Sequence, residues 1–129
     1  MRNTMYWVEI PAKNFERAKK FYESIFNIEM MSVPMPRGKY GIFPLEMEAQ
    51  GAGGAIVEGP GYEPSADTEK GPIIYLDRGE DLEVPLSKIE DAGGKVVLHK
   101  TKNGANGEFG FIAHFIDSEG NRMGLHSNM

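Results

Sequence analysis

Phe109-Gly110-Phe111-Ile112-Ala113-His114-Phe115-Ile116-Asp117-Ser118-Glu119-Gly120-Asn121-Arg122-Met123-Gly124-Leu125-His126 is the most informative stretch of this chain. Two apolar runs flank Asp117, Gly120 and Asn121, which favour tight turns, so the segment predicts a β-hairpin. Side chains alternate across a strand. Ala113 and Phe115 then share one face, and His114, Ile116, Gly124 and His126 share the other. Two of the three histidines in the chain lie on this hairpin.

Upstream, Tyr6-Trp7-Val8-Glu9-Ile10 is β-branched and aromatic and stops at Pro11, which predicts a strand. Tyr6, Val8 and Ile10 fall on one side, Trp7 and Glu9 on the other. Asn14 caps a predicted helix whose Phe15, Ala18, Phe21, Tyr22, Ile25 and Phe26 recur at helical spacing. Asn27 stops it. Three strands are predicted next, over 28–33, 39–45 and 55–58. A glycine- and proline-rich linker follows over 59–72.

Then the order begins again. Residues 73–77 predict a strand. Asp81 opens a helix carrying Leu82, Leu86, Ile89 and Ala92, with Pro85 in its first turn, and Gly93-Gly94 ends it. Residues 95–100 and the hairpin supply three more strands. Asn14-Phe15-Glu16 and Asp81-Leu82-Glu83 open the two helices in parallel fashion, the mark of an internal repeat. One helix covers one face of each sheet, so the other face must find a partner or line a cavity. The expected fold is α+β. Two βαβββ modules form an open, curved eight-stranded mixed sheet around a cleft, with the helices outside. Residues 1–129 are expected to be one domain, with modules over about 1–58 and 73–129.

Composition excludes several classes. The chain has 129 residues, a net charge of -5 and no cysteine. Disulfides, thiolate catalysis and zinc-thiolate sites are therefore ruled out. Its acidic balance and lack of a basic stripe argue against nucleic acid. No apolar run approaches the ~18 residues of a membrane span, and the first residues do not resemble a signal peptide. A cytoplasmic location is expected. Gly51 to Gly54 lacks the Lys-Ser/Thr and following helix of a phosphate loop. Asp117, Glu119 and Asn121 have the composition of calcium ligands, but a hairpin turn accounts for them.

The segments Glu9-Ile10-Pro11 with Phe15-Glu16-Arg17-Ala18-Lys19-Lys20-Phe21-Tyr22, and Asp117-Ser118-Glu119-Gly120-Asn121-Arg122, carry a family resemblance. They resemble the vicinal oxygen chelate superfamily, which includes glyoxalase I, bleomycin-resistance proteins, fosfomycin-resistance enzymes and extradiol dioxygenases. The chain is similar in particular to a small subgroup related to lactoylglutathione lyase. Ser118 stands where the family's turn usually has proline. In metal-binding members the ligands come from the first and last strands of each module. Aligned on Asn14, Asp81 and Asp117, those positions fall on Trp7, Ile74, Gly124 and a residue near Gly54 to Ile56. None offers a side-chain atom suited to a divalent metal. The usual metal is not expected, nor any other cofactor. The resemblance also implies a homodimer.

Alternation directs Trp7, Glu9, His114 and His126 toward the cleft. Glu9 is a candidate general base, with His114 or His126 as acid, and low polarity there would raise the Glu9 pKa. Two histidines and a carboxylate also suit a metal at shifted positions. Against this, Glu9 equally suits a structural hydrogen bond or ion pair, and the histidines suit cavity lining. Trp7 is a candidate ligand-stacking surface, or simply fills space. His99 carries no assigned role. Two functions follow. One is a lyase-like or isomerase-like enzyme acting on a small carbonyl or conjugated compound. The other is a non-catalytic module that binds or sequesters a small, partly aromatic molecule.

Overall fold

A computed structural model describes residues 4–46, 51–65, 67 and 69–129. Its elements run β1 (Trp7–Pro11), α1 (Phe15–Phe26), β2 (Met31–Met35), β3 (Gly38–Ile42), β4 (Gly53–Glu58), β5 (Tyr75–Leu76), α2 (Glu83–Leu86), β6 (Lys95–Lys102), β7 (Phe111–Ile116) and β8 (Arg122–Ser127). The eight strands form two four-stranded mixed sheets, ordered β1-β4-β3-β2 and β5-β8-β7-β6. In each, the first strand runs parallel to the fourth and the other pairs are antiparallel. The repeat visible in sequence is thus a repeat of connectivity.

α1 forms where expected, for local and long-range reasons. Asn14 Oδ1 accepts the Arg17 amide at 3.0 Å, and Asn27 closes the helix in the left-handed conformation. Its stripe of Phe15, Ala18, Phe21, Tyr22, Ile25 and Phe26 is buried. Burial of each large side chain contributes about 1.5–3 kcal/mol. The stripe packs toward both sheets. It shares one cluster with Ile10 and Ile56 of the first unit and with Leu86, Ala113, Phe115 and Leu125 of the second. The Phe21 and Phe115 ring centroids are 6.0 Å apart.

The hairpin turn joins the two units. The Glu119 carboxylate accepts the amides of Lys13 at 2.9 Å and Asn14 at 2.7 Å, and Arg17 Nε at 2.7 Å. Glu58, at the end of β4, accepts the Phe15 amide at 2.6 Å. Two carboxylates therefore sit at the N-terminal end of α1, where free amides and the helix dipole favour negative charge. Asp117 accepts the Tyr22 hydroxyl at 2.7 Å, and Asn121 donates to the Pro11 carbonyl at 2.8 Å. The residues resembling calcium ligands are thus turn and docking residues.

Several boundaries differ from expectation. β2 runs through Pro34 instead of ending before it, because β2 is an edge strand whose proline has no inner ladder to break. β5 covers only Tyr75–Leu76. Beyond it the Asp77 carboxylate binds the Gly79 amide at 2.7 Å and turns the chain. The second helix is four residues long, with Leu82 at its N-cap position. Asp81 instead accepts the Glu83 amide at 3.0 Å and Lys100 Nζ at 2.9 Å. From Lys88 to Gly93 the chain stays coiled partly on i→i+3 bonds, such as Lys88 to Pro85 and Gly93 to Glu90. Pro85 lacks an amide hydrogen, and Ser87, Asp91 and Gly93 are weak helix formers.

Candidate functional site

The open face of the first sheet carries Trp7, Glu9, Tyr40, Ala55 and Val57. Tyr40, Ala55 and Val57 are buried there, with Ile42 and Tyr62 packed beside them. Tyr62 comes from the linker. Its hydroxyl donates to Glu9 Oε1 at 2.7 Å and meets the Tyr40 hydroxyl at 3.2 Å. Trp7 Nε1 donates to Glu9 Oε2 at 3.2 Å.

Burial pushes the Glu9 carboxyl up. Hydrogen bonds from Tyr62, Tyr40 and Trp7 and the Arg37 charge outweigh it, so the group sits below its ordinary value. This corrects the expectation of a raised pKa, because the carboxylate has hydrogen-bond donors and a nearby positive charge of its own on an otherwise largely apolar face. The partners push the Tyr62 phenol well up, with the hydrogen bonds to Tyr40 and Glu9 the largest causes.

Glu9 lies between two cavities. One, of about 310 Å³, is lined by Trp7, Glu9, Met35, Pro36, Arg37 and Tyr40. The other, of about 270 Å³, includes Glu9, Glu63, Lys70, Ile74 and Arg122 in its lining, so it spans both units. His114 and His126 line neither cavity.

The open face of the second sheet carries Tyr75, His114, Gly124 and His126. His114 is buried. Its Nε2 is 2.6 Å from the Tyr75 hydroxyl, and its Nδ1 is 3.1 Å from Arg122 Nη2. Burial, with the Arg122 charge, pushes the His114 pKa down. His126 has a different environment. Its Nδ1 is 2.8 Å from Asp77 Oδ2, and its Nε2 is 2.8 Å from the Phe109 carbonyl. Both partners accept, so both hydrogen bonds form together only when the ring is doubly protonated. The Asp77 hydrogen bond, with that to Phe109, pushes its pKa up.

A matching pair of contacts marks the two faces. A Cβ added to Gly53 would lie 3.0 Å from Trp7 Cζ3, and one added to Gly124 would lie 2.4 Å from Tyr75 Cδ1. Trp7 pairs with Gly53 across the β1–β4 ladder, and Tyr75 with Gly124 across β5–β8. In both units an aromatic ring of the first strand lies against a glycine of the last. This shifts the assignment made from sequence, because Tyr75 and not Ile74 occupies the open-face position of β5. Ile74 packs toward the core.

The resemblance implies a metal at these places, and the donor set does not fit one. Indole, phenol and glycine are poor ligands for a divalent cation. Among the described residues, no group of three or more His, Cys, Asp or Glu side chains is placed to hold an ion.

Sequence reasoning identified Trp7, Glu9 and His114 as open-face residues but missed the groups bonded to them. Tyr62 is the one tyrosine in a glycine- and proline-rich linker, which was the available signal. Tyr75 was obscured by the one-residue offset, and Arg122 by its place in the turn.

A repeated βαβββ unit with aromatic, polar open faces defines the class. A family profile described as the Glyoxalase/Bleomycin resistance protein/Dioxygenase superfamily matches residues 4–125. The chain belongs to that superfamily. No curated protein matches it by sequence. Solved structures share the fold. A maize glyoxalase I mutant superposes with a TM-score of 0.70 at 16% identity, covering 95% of this chain and 45% of the maize chain. The chain therefore spans about half the length of that protein. A glyoxalase/bleomycin resistance protein from Albidiferax ferrireducens gives 0.70 at 15% identity, covering 97% of this chain and 99% of the other. An antibiotic binding protein from Streptomyces sp. CB03234 gives 0.61 at 18% identity, covering 97% of this chain and 95% of its own. No helix of the described residues is long and apolar enough to cross a membrane.

Proposed function

We propose that this protein binds a small, planar, partly aromatic organic molecule on the open face beside Trp7, without the metal used elsewhere in the superfamily. The observation that carries this reading is the ring-on-glycine contact of Trp7 with Gly53, at a place where metal-binding members carry ligands. The 310 Å³ cavity between Trp7, Arg37 and Tyr40 suits a compact aromatic ligand. The likeness to an antibiotic binding protein supports the same direction. Trp7 is the only tryptophan. Titration with coumarin is expected to quench or shift its fluorescence saturably. A response that never saturates would remove the reading.

A second reading makes Glu9 a general base of a lyase-like or isomerase-like reaction. Glu9 lines both cavities, and its lowered pKa keeps it ionised at neutral pH. Turnover of a carbonyl substrate lost in Glu9→Gln, with affinity kept, would establish this reading over binding alone. His114 or His126 would be the assisting acid, once released from the two partners that its ring nitrogens hold here.

We also propose a homodimer, on the family resemblance and on exposed Met5, Tyr6 and Met31. Sedimentation at twice the monomer mass checks it. A cytoplasmic location rests on the absence of cysteine. Microscopy of a tagged chain tests that.

A further inference from the structure

Arg122 Nη2 lies 3.1 Å from His114 Nδ1. A guanidinium donates and cannot accept, so Nδ1 is the acceptor. A neutral imidazole has one N–H, and here it falls on Nε2, 2.6 Å from the Tyr75 hydroxyl. His114 therefore donates to Tyr75, whose own hydroxyl proton must point elsewhere. Burial, with the Arg122 charge, favours the neutral ring this requires. Tyr75 is 44% exposed, and its ring lies against Gly124. Arg122 Nε is itself buried with no hydrogen-bond partner among the described residues.

We propose that Arg122 and His114 fix the Tyr75 hydroxyl as an outward hydrogen-bond donor, making the second sheet's open face a subsite for the carbonyl oxygen of a planar aromatic ligand. This takes the ligand class from the binding reading and adds a second place for it: a ring to stack and an oxygen to accept. Tyr75 is the contacting group, and His114 and Arg122 are positioning residues. The Tyr75 oxygen already accepts from His114, so an acceptor ligand suits it better than a donor. An ammonium group is disfavoured by the fixed Arg122 charge close behind.

The test uses the full chain labelled with ¹⁵N, and two probes of similar size. Coumarin carries a carbonyl, and naphthalene does not. Long-range ¹H–¹⁵N spectra should show His114 protonated at Nε2 with an unprotonated Nδ1. Coumarin should shift the His114 and Gly124 signals and bind about fivefold more tightly than naphthalene, as one neutral hydrogen bond allows. Tyr75→Phe should abolish the preference. Arg122→Gln keeps Tyr75 but offers an acceptor to Nδ1, freeing the other tautomer, and should also reduce the preference. A Nδ1–H tautomer in the wild type, or a preference that survives Tyr75→Phe, would overturn the proposal. So would silence at His114 and Gly124, whatever Trp7 fluorescence reports. Silence at Trp7 with a response at Gly124 would instead remove the binding reading beside Trp7 and keep this subsite.

Discussion

The two βαβββ units share a strand order but differ in helix and site. α1 has twelve residues and α2 has four. The long helix takes carboxylates from both units at its start, Glu58 from its own and Glu119 from the other. The short one has the nearby Asp81, at the surface. The open faces differ in the same manner. Beside Trp7 stands a carboxylate held by neutral donors and facing two cavities. Beside Tyr75 stands a buried imidazole locked between a guanidinium and a phenol. The repeat sets the backbone, and a few long-range polar contacts distinguish the two copies.

The sharpest way to break that comparison is to remove one start carboxylate from each helix, Glu119 from α1 and Asp81 from α2. The Glu119 side chain is 1% exposed and Asp81 is 39% exposed. Glu119→Ala strands the Lys13 and Asn14 amides and the Arg17 guanidinium, and should cost about 3 kcal/mol in urea unfolding. Asp81→Ala should cost about 1 kcal/mol or less. Equal losses would show that α1 does not depend on the second unit. Glu119 also predicts acid sensitivity. Burial pushes its carboxyl up, but Arg17, the Asn14 amide and Ser118 hold it below the ordinary value. A group with a lowered folded pKa stabilises above its unfolded pKa and loses that contribution as pH falls through the folded one. The gap between wild type and Glu119→Ala should therefore narrow in acid.

The glycines come next. Gly124→Ala places a Cβ 2.4 Å from the Tyr75 ring, which must swing away from His114. A cost of about 1–3 kcal/mol is expected. Gly53→Ala meets Leu45 Cδ2 at 2.6 Å and Trp7 Cζ3 at 3.0 Å, both on exposed side chains that can move. Its cost should be about 1 kcal/mol or less. Thermal unfolding of both variants checks the order.

The fold was largely legible because its signals are local and periodic. The stripe of α1, the alternation of Trp7 and Glu9 against Val8 and Ile10, and the hairpin turn all appear in short windows. The second helix is shorter than its spacing suggested, because Pro85 and Ser87 weaken the stripe. The site was half legible. Alternation fixes which face a side chain takes, so Trp7, Glu9 and His114 could be placed. It does not reveal what meets them across 53 residues, as Tyr62 meets Glu9, or across 39, as Tyr75 meets His114. The sign of the Glu9 pKa shift depended on those unseen donors.

A smaller change sharpens the contrast at Glu9. Tyr62→Phe removes the short donor to Oε1 and should raise the Glu9 pKa, seen by carboxyl ¹³C titration, with little loss of stability because the bond is partly exposed. An unmoved pKa would mean that Tyr40 and Trp7 suffice.

The smallest expected effect concerns His126, which ties Asp77 to the loop at Phe109. Its folded pKa is raised, by the Asp77 bond first and the Phe109 bond second. A raised folded pKa means the contribution is complete below the unfolded value of about 6.5. It is lost as pH rises through the folded value. Urea midpoints of wild type and His126→Asn should therefore differ most in mild acid and converge in alkali. His114 supplies the internal contrast, because its pKa is lowered by burial and then by Arg122. The folded state disfavours a charged His114, so in mild acid that ring destabilises the protein while His126 stabilises it. A His114→Asn difference that runs against the His126→Asn difference over the same pH range would confirm that one strand pair shifts its two histidines in opposite directions. Parallel curves would show that both rings respond only to solvent.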